Sequence, residues 1–238
     1  MTLTVSDLGY AYGAKRALDG VSFALMPGFT ALLGPNGAGK STLFALLTRL
    51  FVTREGRISI AGQDMARAPR AALSQIGVVF QQPTLDLDMS VAANMRYFAA
   101  LHGIAGREAS IRSARALEQL GMAERANERA RDLNGGHRRR MEIARALIHD
   151  PKVLLLDEPT VGLDFKSRQG IVDHVHGLAG QGLTVLWATH LVDEIHDSDG
   201  VVVLHRGRVL AHQRAETLRA GRPLADVFIE MTASEALT

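Results

Sequence analysis

The sequence predicts an α/β fold built on a parallel sheet, with a helical segment inserted into it. Three apolar runs, TALLG, KVLLLDEP and TVLWATH, are too short for most helices and are typical of buried central strands. Helical patterns alternate with strand patterns before about residue 82 and after about residue 149. Between about residues 83 and 148, three helical patterns follow one another without a strand, which indicates an insert.

The first third of the chain carries short strand signals. Alternating apolar positions predict strands in TLTVSDL and GVSFAL, and a buried strand in TALLG stops at a Gly-Pro-Asn-Gly turn. A helix over residues 40–50 is predicted directly after this turn. Further strands are predicted in GRISIAG and IGVVF.

The predicted insert and the returning core follow. Helices are predicted over residues 91–101, 107–120 and 137–148, and the Asp-Pro pair at residues 150–151 ends the last of them. A strand in KVLLLDEP, a helix in RQGIVDHVHGLA and a strand in TVLWATH come next, before the hairpin-like GVVVLHRGRVLAH. The last dozen residues, EMTASEALT among them, predict a frayed tail.

Composition places the chain among globular proteins. Its 238 residues fit one large domain or a domain with an inserted subdomain, and a hydrophobic content of 47% is enough for a core. No apolar run approaches the roughly eighteen residues that span a bilayer, and the N-terminus lacks a basic region followed by an apolar stretch, so we expect a cytoplasmic chain. The absence of cysteine excludes a disulfide framework and a thiolate metal site. A net charge of +2 is too weak to indicate nucleic acid, and no nucleic-acid partner is expected.

The turn after TALLG carries a phosphate-binding pattern. GPNGAGKS, at residues 34–41, satisfies G-x-x-x-x-G-K-[ST] between a predicted strand and a predicted helix. Gly34, Gly37 and Gly39 let successive backbone N–H groups turn toward one anion. Lys40 adds a point charge for the β- and γ-phosphates, and the Ser41 hydroxyl is a candidate ligand for Mg²⁺. The alternative is a Gly-rich turn that binds nothing.

Two further predicted strands end in candidate catalytic residues. VLLLDEP delivers Asp157 to the carboxyl edge of the sheet, where open α/β sheets bind their ligands. We expect Asp157 to contact Mg²⁺ directly or through an intervening group, and Glu158 to accept a proton from an attacking water. TVLWATH places His190 at the same edge, within reach of a γ-phosphate oxygen. The alternatives are a solvated strand end or a helix cap for the two carboxylates, and a structural role for the histidine.

One stretch has two interpretations. In LNGGHRRRMEIARAL, at residues 133–147, two glycines stand at the start of a helical run. A helix N-terminus carries partial positive charge and N–H groups that suit a phosphate, and Arg138, Arg139 and Arg140 raise the local potential. The alternative is a loop entering an amphipathic helix, with the arginines on a solvated face. These residues alone favour the alternative.

Together these motifs resemble those of the ATP-binding subunit of an ABC transporter. The P-loop, LNGGH, VLLLDEPTVGLD and ATH occur in the order and spacing of that family, and the resemblance covers essentially the whole chain. It implies a single ATP-binding domain over residues 1–238, with a P-loop NTPase core over about 1–82 and 149–220. It also implies an antiparallel β subdomain, an inserted α-helical subdomain over about 83–148 and a C-terminal tail over about 221–238.

The resemblance implies roles for single residues. Asp157 corresponds to the Walker B aspartate, Glu158 to the catalytic glutamate and His190 to the switch histidine. GLD, at residues 162–164, resembles the D-loop that crosses a dimer interface, and Asp164 is therefore counted with the nucleotide-binding residues. The Walker A loop corresponds to Gly34, Pro35, Asn36, Gly37, Ala38, Gly39, Lys40, Ser41 and Thr42.

Two further residues receive roles through the resemblance. Tyr12, in YAYG, resembles the aromatic residue that stacks on adenine, with Tyr10 as an alternative. Gln81, after GVVF, resembles the Q-loop glutamine, which in the family meets Mg²⁺ or the attacking water and lies beside the contact to the membrane partner. Gln82 is adjacent and is the alternative. The implied ligands of Mg²⁺ are thus Ser41, Gln81 and Asp157.

The resemblance also implies a use for the two glycines. In the family this loop covers the γ-phosphate of an ATP held by a second subunit, so Asn134, Gly135 and Gly136 are implied to bind nucleotide across a head-to-tail, ATP-dependent homodimer. The usual Leu-Ser-Gly-Gly-Gln is replaced here by Leu-Asn-Gly-Gly-His. Asn134 offers an amide in place of a hydroxyl, and His137 brings a group that titrates near neutral pH. We expect an active site with altered closure kinetics, because the catalytic residues are intact.

The resemblance further implies a separate membrane-spanning permease, which would hold the chain at the cytoplasmic side of the inner membrane. LNGGHRRR is similar to a bacterial subgroup associated with pyrroloquinoline quinone-dependent alcohol oxidation, whose partners resemble exporter-type permeases. The tail LRAGRPLADVFIEMT also fits exporter-type subunits. The alternative function is a non-transport ABC ATPase in assembly or regulation. A simple P-loop kinase is a weaker candidate, because it leaves the Gly-Gly loop unexplained.

Overall fold

The structure, a computed structural model, describes residues 1–234, which contain ten strands and eight α-helices. In chain order these elements are β1 (Leu3–Tyr12), β2 (Lys15–Leu25), β3 (Gly28–Leu33), α1 (Lys40–Leu47), β4 (Arg57–Ile60), β5 (Gln63–Asp64), α2 (Pro69–Leu73), β6 (Ile76–Val79), α3 (Val91–Leu101), α4 (Gly106–Gln119), α5 (Gly135–Leu147), β7 (Val153–Asp157), α6 (Phe165–Gly180), β8 (Thr184–Thr189), β9 (Gly200–His205), β10 (Arg208–Arg214), α7 (Ala215–Arg219) and α8 (Leu224–Ser234). The α/β fold predicted from the sequence is confirmed.

A six-stranded sheet forms the centre of the fold, in the order β10-β9-β3-β8-β7-β6. Its neighbouring strands are parallel, except that β10 pairs with β9 as an antiparallel hairpin. Strands β7 and β8 are buried along their whole length, which explains why their sequences are continuous apolar runs. Because β3, β7 and β8 are parallel, their carboxyl ends meet at one edge of the sheet.

A second sheet has four antiparallel strands in the order β2-β1-β4-β5. Its inward-facing apolar residues, among them Leu3, Val5 and Leu18, pack in one buried cluster with residues of α1 and of the central sheet. At the end of β1, the Tyr12 hydroxyl lies 3.3 Å from Thr42 Oγ1 of α1. The second sheet therefore places its first strand beside the helix that follows the P-loop.

Helices α3, α4 and α5 lie between β6 and β7 in the chain. Helix α3 spans the predicted residues, with the Ser90 hydroxyl accepting a hydrogen bond from Ala93 N at 3.2 Å as its N-terminal cap. Helices α4 and α5 begin one and two residues earlier than predicted. The short elements β5 and α2 are not predicted by the sequence patterns. Within residues 1–234, no helix combines the length and apolar character that crossing a bilayer requires.

The C-terminal segment corrects one prediction. The sequence predicts a frayed tail, but the chain is helical as far as Ser234. Val227, Phe228 and Met231 form one face of α8, and they pack against a buried cluster that includes Leu33. This apolar contact with the central sheet explains the helix. The remainder of the predicted tail, residues 235–238, lies outside the described residues.

A partly buried histidine joins α6 to the start of β9. The His176 ring stacks between Phe29 and His196, at centroid distances of 3.9 and 4.0 Å. Its Nδ1 lies 2.9 Å from the Val172 carbonyl oxygen and its Nε2 lies 2.8 Å from Asp199 Oδ2. Only the imidazolium form donates from both nitrogens. Burial lowers the pKa of His176, but the hydrogen bonds to Asp199 and Val172 outweigh burial and raise that pKa above its ordinary value.

We expect His176→Gln to destabilise the protein more at about pH 6 than at about pH 9. A histidine whose pKa is raised by folding contributes stability that is present below its unfolded pKa, about 6.5, and is lost as pH rises through its folded pKa. Hydrogen bonds to charged groups contribute about 1.5–3 kcal/mol, which sets the scale of the effect. Urea unfolding at both pH values measures it. His174→Gln, on the same helix, is the control, and a His176→Gln effect that does not vary with pH contradicts the prediction.

Candidate nucleotide-binding site

The P-loop connects β3 to α1 through two sterically required glycines. A Cβ on Gly34 would lie 2.5 Å from the Leu204 carbonyl oxygen, and a Cβ on Gly39 would lie 2.9 Å from the Ala17 carbonyl oxygen. Gly39 also has a φ of 110°, in the left-handed region, and is the N-cap residue of α1. The chain therefore makes a tight turn directly at the helix N-terminus, where backbone N–H groups and the helix dipole favour an anion.

Lys40 is the first residue of α1, and its ammonium group is buried. The residue is only 6% exposed. Its Nζ donates to the carbonyl oxygens of Gly34 at 2.5 Å and Pro35 at 3.4 Å. The same atom lies 3.4 Å from Glu158 Oε1. A buried cation needs an anionic partner, and the Glu158 carboxylate supplies it here.

Glu158 follows β7 at the carboxyl edge of the sheet. Its φ of 47° is unusual for a residue other than glycine, and such conformations persist only where the surroundings hold them. Its backbone N–H donates to the Ala188 carbonyl at 3.0 Å. Its side chain is 13% exposed, so the alternative of a solvated strand end does not describe it.

Two more predicted residues converge on the Glu158 carboxylate. His190 Nδ1 lies 3.4 Å from Oε1, and Gln81 Nε2 donates to Oε2 at 3.4 Å. Together with Lys40, three predicted residues from three different segments thus contact one carboxylate. Of the two adjacent glutamines, it is Gln81 that makes this hydrogen bond to Glu158.

A cavity of about 620 Å³ opens at this edge. Two P-loop residues, Gly34 and Ala38, are buried and do not line the cavity. Other predicted site residues also lie outside its lining: Asp157, His190, Asn134, Gly135, Gly136 and Asp164. The predicted residues that line it are Tyr12, Pro35, Asn36, Gly37, Gly39, Lys40, Ser41, Thr42, Gln81 and Glu158.

The mouth of the cavity adds residues that the sequence analysis missed. Lys15, Arg16 and Arg206 also line it, and they bring positive charge beside the P-loop. No motif marks them, because the start of β2 and the β9–β10 turn reach the P-loop only in the folded chain. Tyr12 is 47% exposed at this mouth, whereas Tyr10 stacks on Phe51 with ring centroids 5.4 Å apart. The geometry therefore favours Tyr12 over Tyr10 as an adenine platform.

The predicted ligands of Mg²⁺ are oxygen donors of the kind that Mg²⁺ prefers: a Ser41 hydroxyl, a Gln81 amide and an Asp157 carboxylate. Asp157 is 9% exposed. Burial raises the pKa of its carboxyl, the neighbouring Glu158 raises it further, and Lys40 lowers it. A divalent cation would relieve this unfavourable desolvation, so the chemistry of these residues fits the metal.

The predicted signature residues form a second, separate surface. Asn134 caps α5, because its Oδ1 accepts from His137 N at 2.8 Å. A Cβ on Gly136 would lie 2.7 Å from Ser167 Oγ, so the close approach of α6 requires glycine there. Asp164 caps α6 by accepting from Ser167 N at 2.9 Å and Ser167 Oγ at 2.7 Å, and these bonds lower the pKa of its carboxyl. The signature and the D-loop thus pack together at Ser167.

The alternative that places the arginine run on a solvated face is wrong for Arg139, whereas Arg138 and Arg140 are partly exposed. The Arg139 guanidinium is buried and donates to the carbonyl oxygens of Phe80 at 2.7 Å and Gln81 at 2.8 Å. Arg138 Nε donates to the Ala130 carbonyl at 3.0 Å. Burial, and then the charges of Arg125 and Arg140, lower the pKa of His137 below its ordinary value.

Arg139 belongs to a buried ionic network that the sequence analysis also missed. Glu142, 2% exposed, accepts from Arg139 at 2.8 Å and from the Thr84 backbone N–H at 2.8 Å. Arg145 donates to the Thr84 carbonyl at 2.9 Å. The three charged residues therefore hold residues 80–84, which carry Gln81, against α5. Their i, i+3 spacing on one helix face is the sequence signal that indicates such a network.

A P-loop at a helix N-terminus, a buried lysine and two carboxylates at the edge of a parallel sheet define a P-loop nucleoside triphosphatase. Comparison with known proteins identifies its family. The family model for ABC transporters matches residues 18–161. Daunorubicin resistance ATP-binding protein DrrA3 of Streptomyces coeruleorubidus is 38% identical over 220 residues, covering 92% of this chain and 70% of that protein. The chain belongs to the ABC transporter ATP-binding family, whose domains bind and hydrolyse ATP.

Another relative and a solved structure agree with this assignment. Nod factor export ATP-binding protein I of Rhizobium johnstonii is 34% identical over 233 residues, covering 96% of this chain and 75% of that protein. A solved structure of the ATP binding subunit of an ABC transporter is 27% identical and has a TM-score of 0.84, covering 98% of this chain and 100% of the other.

We expect Arg139→Met to destabilise the protein by about 3–5 kcal/mol, because it leaves the Glu142 carboxylate buried without a full set of partners. The double variant Arg139→Met, Glu142→Leu is expected to recover a large part of this loss, because apolar pairs often replace buried ion pairs at little cost. Urea unfolding of both variants measures the coupling. A double variant less stable than Arg139→Met alone contradicts the account, and the exposed Arg54→Met is the control.

Proposed function

We propose that the protein is the ATP-hydrolysing subunit of an exporter and that two copies close head to tail over two ATP molecules. The observation that carries the proposal is the division of the predicted nucleotide ligands between two surfaces. Most of the P-loop, Gln81 and Glu158 line one cavity, and His190 contacts Glu158 there. Asn134, Gly135 and Gly136 do not line it; Asn134 caps α5 and Gly136 lies against Ser167 of α6. In the proposal each complete site takes its P-loop from one chain and its signature from the other.

ATP binds with its β- and γ-phosphates at the P-loop. Lys40 Nζ, already buried at the turn, exchanges its contact with Glu158 for phosphate oxygens. The half-exposed Tyr12 stacks on the adenine at the mouth of the cavity. When Mg²⁺ is bound, it neutralises charge on the phosphate oxygens, and Ser41, Gln81 and Asp157 are the residues that would hold it.

Glu158 acts in hydrolysis once Lys40 has turned to the phosphates. Its carboxylate orients a water molecule and accepts a proton as the water oxygen attacks the γ-phosphorus and the bond to ADP breaks. His190, whose Nδ1 lies 3.4 Å from Glu158, donates a hydrogen bond to a γ-phosphate oxygen. Gln81 lies on the other side of the carboxylate and orients the same water.

The second chain completes the site with the N-terminus of its α5. Asn134 uses Oδ1 as the helix cap, so its Nδ2 is the group that donates to the γ-phosphate, in place of the usual serine hydroxyl. The asparagine side chain is longer than the usual serine side chain, so the distance between α5 and the γ-phosphate in the closed dimer changes. We infer altered closure kinetics in an active site.

A separate permease transmits closure to the membrane, and the chain associates with it at the cytoplasmic side of the inner membrane. Export is supported by the names of the relatives, which refer to drug resistance and to Nod factor export. The association with pyrroloquinoline quinone-dependent alcohol oxidation rests on LNGGHRRR alone and stays a prediction.

We expect Glu158→Gln to form a dimer when Mg²⁺ and ATP are added. Glutamine has the size of glutamate but cannot accept the proton from water, so ATP persists between the two chains. Light scattering coupled to size-exclusion chromatography measures the mass in solution. It should give the mass of two chains when Mg²⁺ and ATP are present and of one chain when they are absent.

Lys40→Ala combined with Glu158→Gln is the matched control, because it removes the phosphate contact and should remain monomeric. A Glu158→Gln variant that binds ATP, by equilibrium dialysis, and keeps the mass of one chain contradicts the proposed dimer. Hydrolysis by this variant at the wild-type rate contradicts the role given to Glu158.

A further inference from the structure

A buried carboxylate outside the nucleotide motifs lies directly behind the catalytic edge. Glu194 ends a short 3₁₀ turn, Val192–Glu194, four residues after His190, and is 2% exposed. Glutamate is almost never fully buried unless its carboxylate has partners. This carboxylate therefore needs a physical explanation that solvation does not provide.

Three side-chain donors surround the Glu194 carboxylate. Trp187 Nε1 donates to Oε2 at 2.9 Å and Thr189 Oγ1 donates to the same oxygen at 2.7 Å. Thr160 Oγ1 donates to Oε1. All three donors are neutral and buried, so the hydrogen bonds are shielded from water.

The donors come from the two segments that carry the catalytic residues. Thr160 lies two residues after Glu158, and Thr189 lies immediately before His190. Thr189 Oγ1 also accepts a hydrogen bond from the Leu191 backbone N–H at 3.0 Å. Thr189 therefore fixes the backbone on both sides of His190. One carboxylate thus joins the loop after β7 to the loop after β8.

The backbone conformation of Glu158 explains why such a link is needed. A φ of 47° is a strained conformation for glutamate, and it must be fixed from both sides to persist. On the N-terminal side, Glu158 N donates to the Ala188 carbonyl at 3.0 Å. On the C-terminal side, the Thr160 hydroxyl is anchored by Glu194.

We propose that Glu194 is a positioning residue for ATP hydrolysis, which fixes Glu158 relative to His190 by binding Thr160 and Thr189. The inference rests on the proposed roles of Glu158 and His190. It adds a residue four positions beyond the switch histidine and does not require Glu194 to touch ATP.

The chemistry of the three donors separates a conservative variant from a disruptive one. In Glu194→Gln, the amide oxygen replaces Oε2 as the acceptor for Trp187 and Thr189. The amide nitrogen then donates to the Thr160 hydroxyl, which accepts as well as donates. In Glu194→Leu, of similar size, all three donors lose their acceptor. Thr160→Val removes only the link to the Glu158 loop and keeps the shape of the buried side chain.

Trp187 provides a spectroscopic signature, because it is the only tryptophan in the chain. The wild type therefore has one indole N–H resonance, which reports directly on the bond to Glu194. This resonance should move upfield in Glu194→Leu and stay near its wild-type position in Glu194→Gln and in Thr160→Val.

The experiment measures kcat and KM for ATP in the wild type and the three variants. We expect Glu194→Leu and Thr160→Val to lower kcat by about tenfold or more, since displacement of a catalytic group by a fraction of an ångström has effects of that size. KM should change by less than about twofold, because the P-loop contacts remain. Glu194→Gln should restore most of the wild-type kcat. Asp193→Asn, at the neighbouring exposed position, is the matched control and should match the wild type.

The outcomes separate this inference from the proposed function. If the wild type hydrolyses ATP and Glu158→Gln does not, the role of Glu158 is established independently. With that role established, wild-type kcat in Thr160→Val and Glu194→Leu overturns the positioning role alone. A loss of kcat in Glu194→Gln as large as in Glu194→Leu, with the indole resonance unchanged, also overturns it. If Glu194→Leu does not fold, Thr160→Val and Glu194→Gln still decide the result.

Discussion

A single buried ammonium group organises the catalytic edge. Lys40 Nζ is held by the carbonyl oxygens of the P-loop turn and faces the Glu158 carboxylate at 3.4 Å. In the proposed function, this arrangement stores a cation where the triphosphate binds and keeps the Glu158 carboxylate paired until phosphate arrives. The tight glycine turn, the buried strands and the convergence of Gln81 and His190 all bring their groups within reach of this one pair. The proposal therefore links ATP binding to catalysis through the exchange of Glu158 for phosphate as the partner of Lys40.

Two buried networks hold the loops that surround this pair. Glu194 joins the segments that carry Glu158 and His190, and the network around Arg139 joins the segment that carries Gln81 to α5. The Arg139 network donates hydrogen bonds to buried backbone carbonyl groups, and the Glu194 network anchors the segment next to the strained Glu158 backbone. Both networks lie outside the nucleotide cavity. The loops at the edge are thus positioned from behind by groups that leave the cavity open to ATP. The same α5 begins at the signature, so one helix joins the Q-loop segment to the signature of the same chain.

The sequence predicts those parts of the site that depend on local patterns. The P-loop, the two buried strands and the helix α3 follow from periodicity and turn chemistry within a few residues, and the residues at their ends were placed correctly at one edge. Contacts between distant segments have no such local signal. Lys15 and Arg206 enter the cavity through turns far apart in the chain, and the burial of Arg139 depends on a loop almost sixty residues earlier. The helix α8 was missed for the same reason, because its apolar face is explained only by the sheet beneath it.

The central claim is that each site needs the P-loop of one chain and the signature of another, and mixing two inactive variants tests it most directly. Lys40→Ala lacks the phosphate contact, and Gly135→Asp places a carboxylate at the start of α5, where it repels the γ-phosphate. Each variant alone should hydrolyse almost no ATP. An equal mixture should recover a clear fraction of the wild-type rate, about a quarter if the chains pair at random, because each mixed dimer contains one intact site out of two. A mixture as inactive as its components, although co-purification of two differently tagged chains shows that mixed dimers form, would contradict the claim.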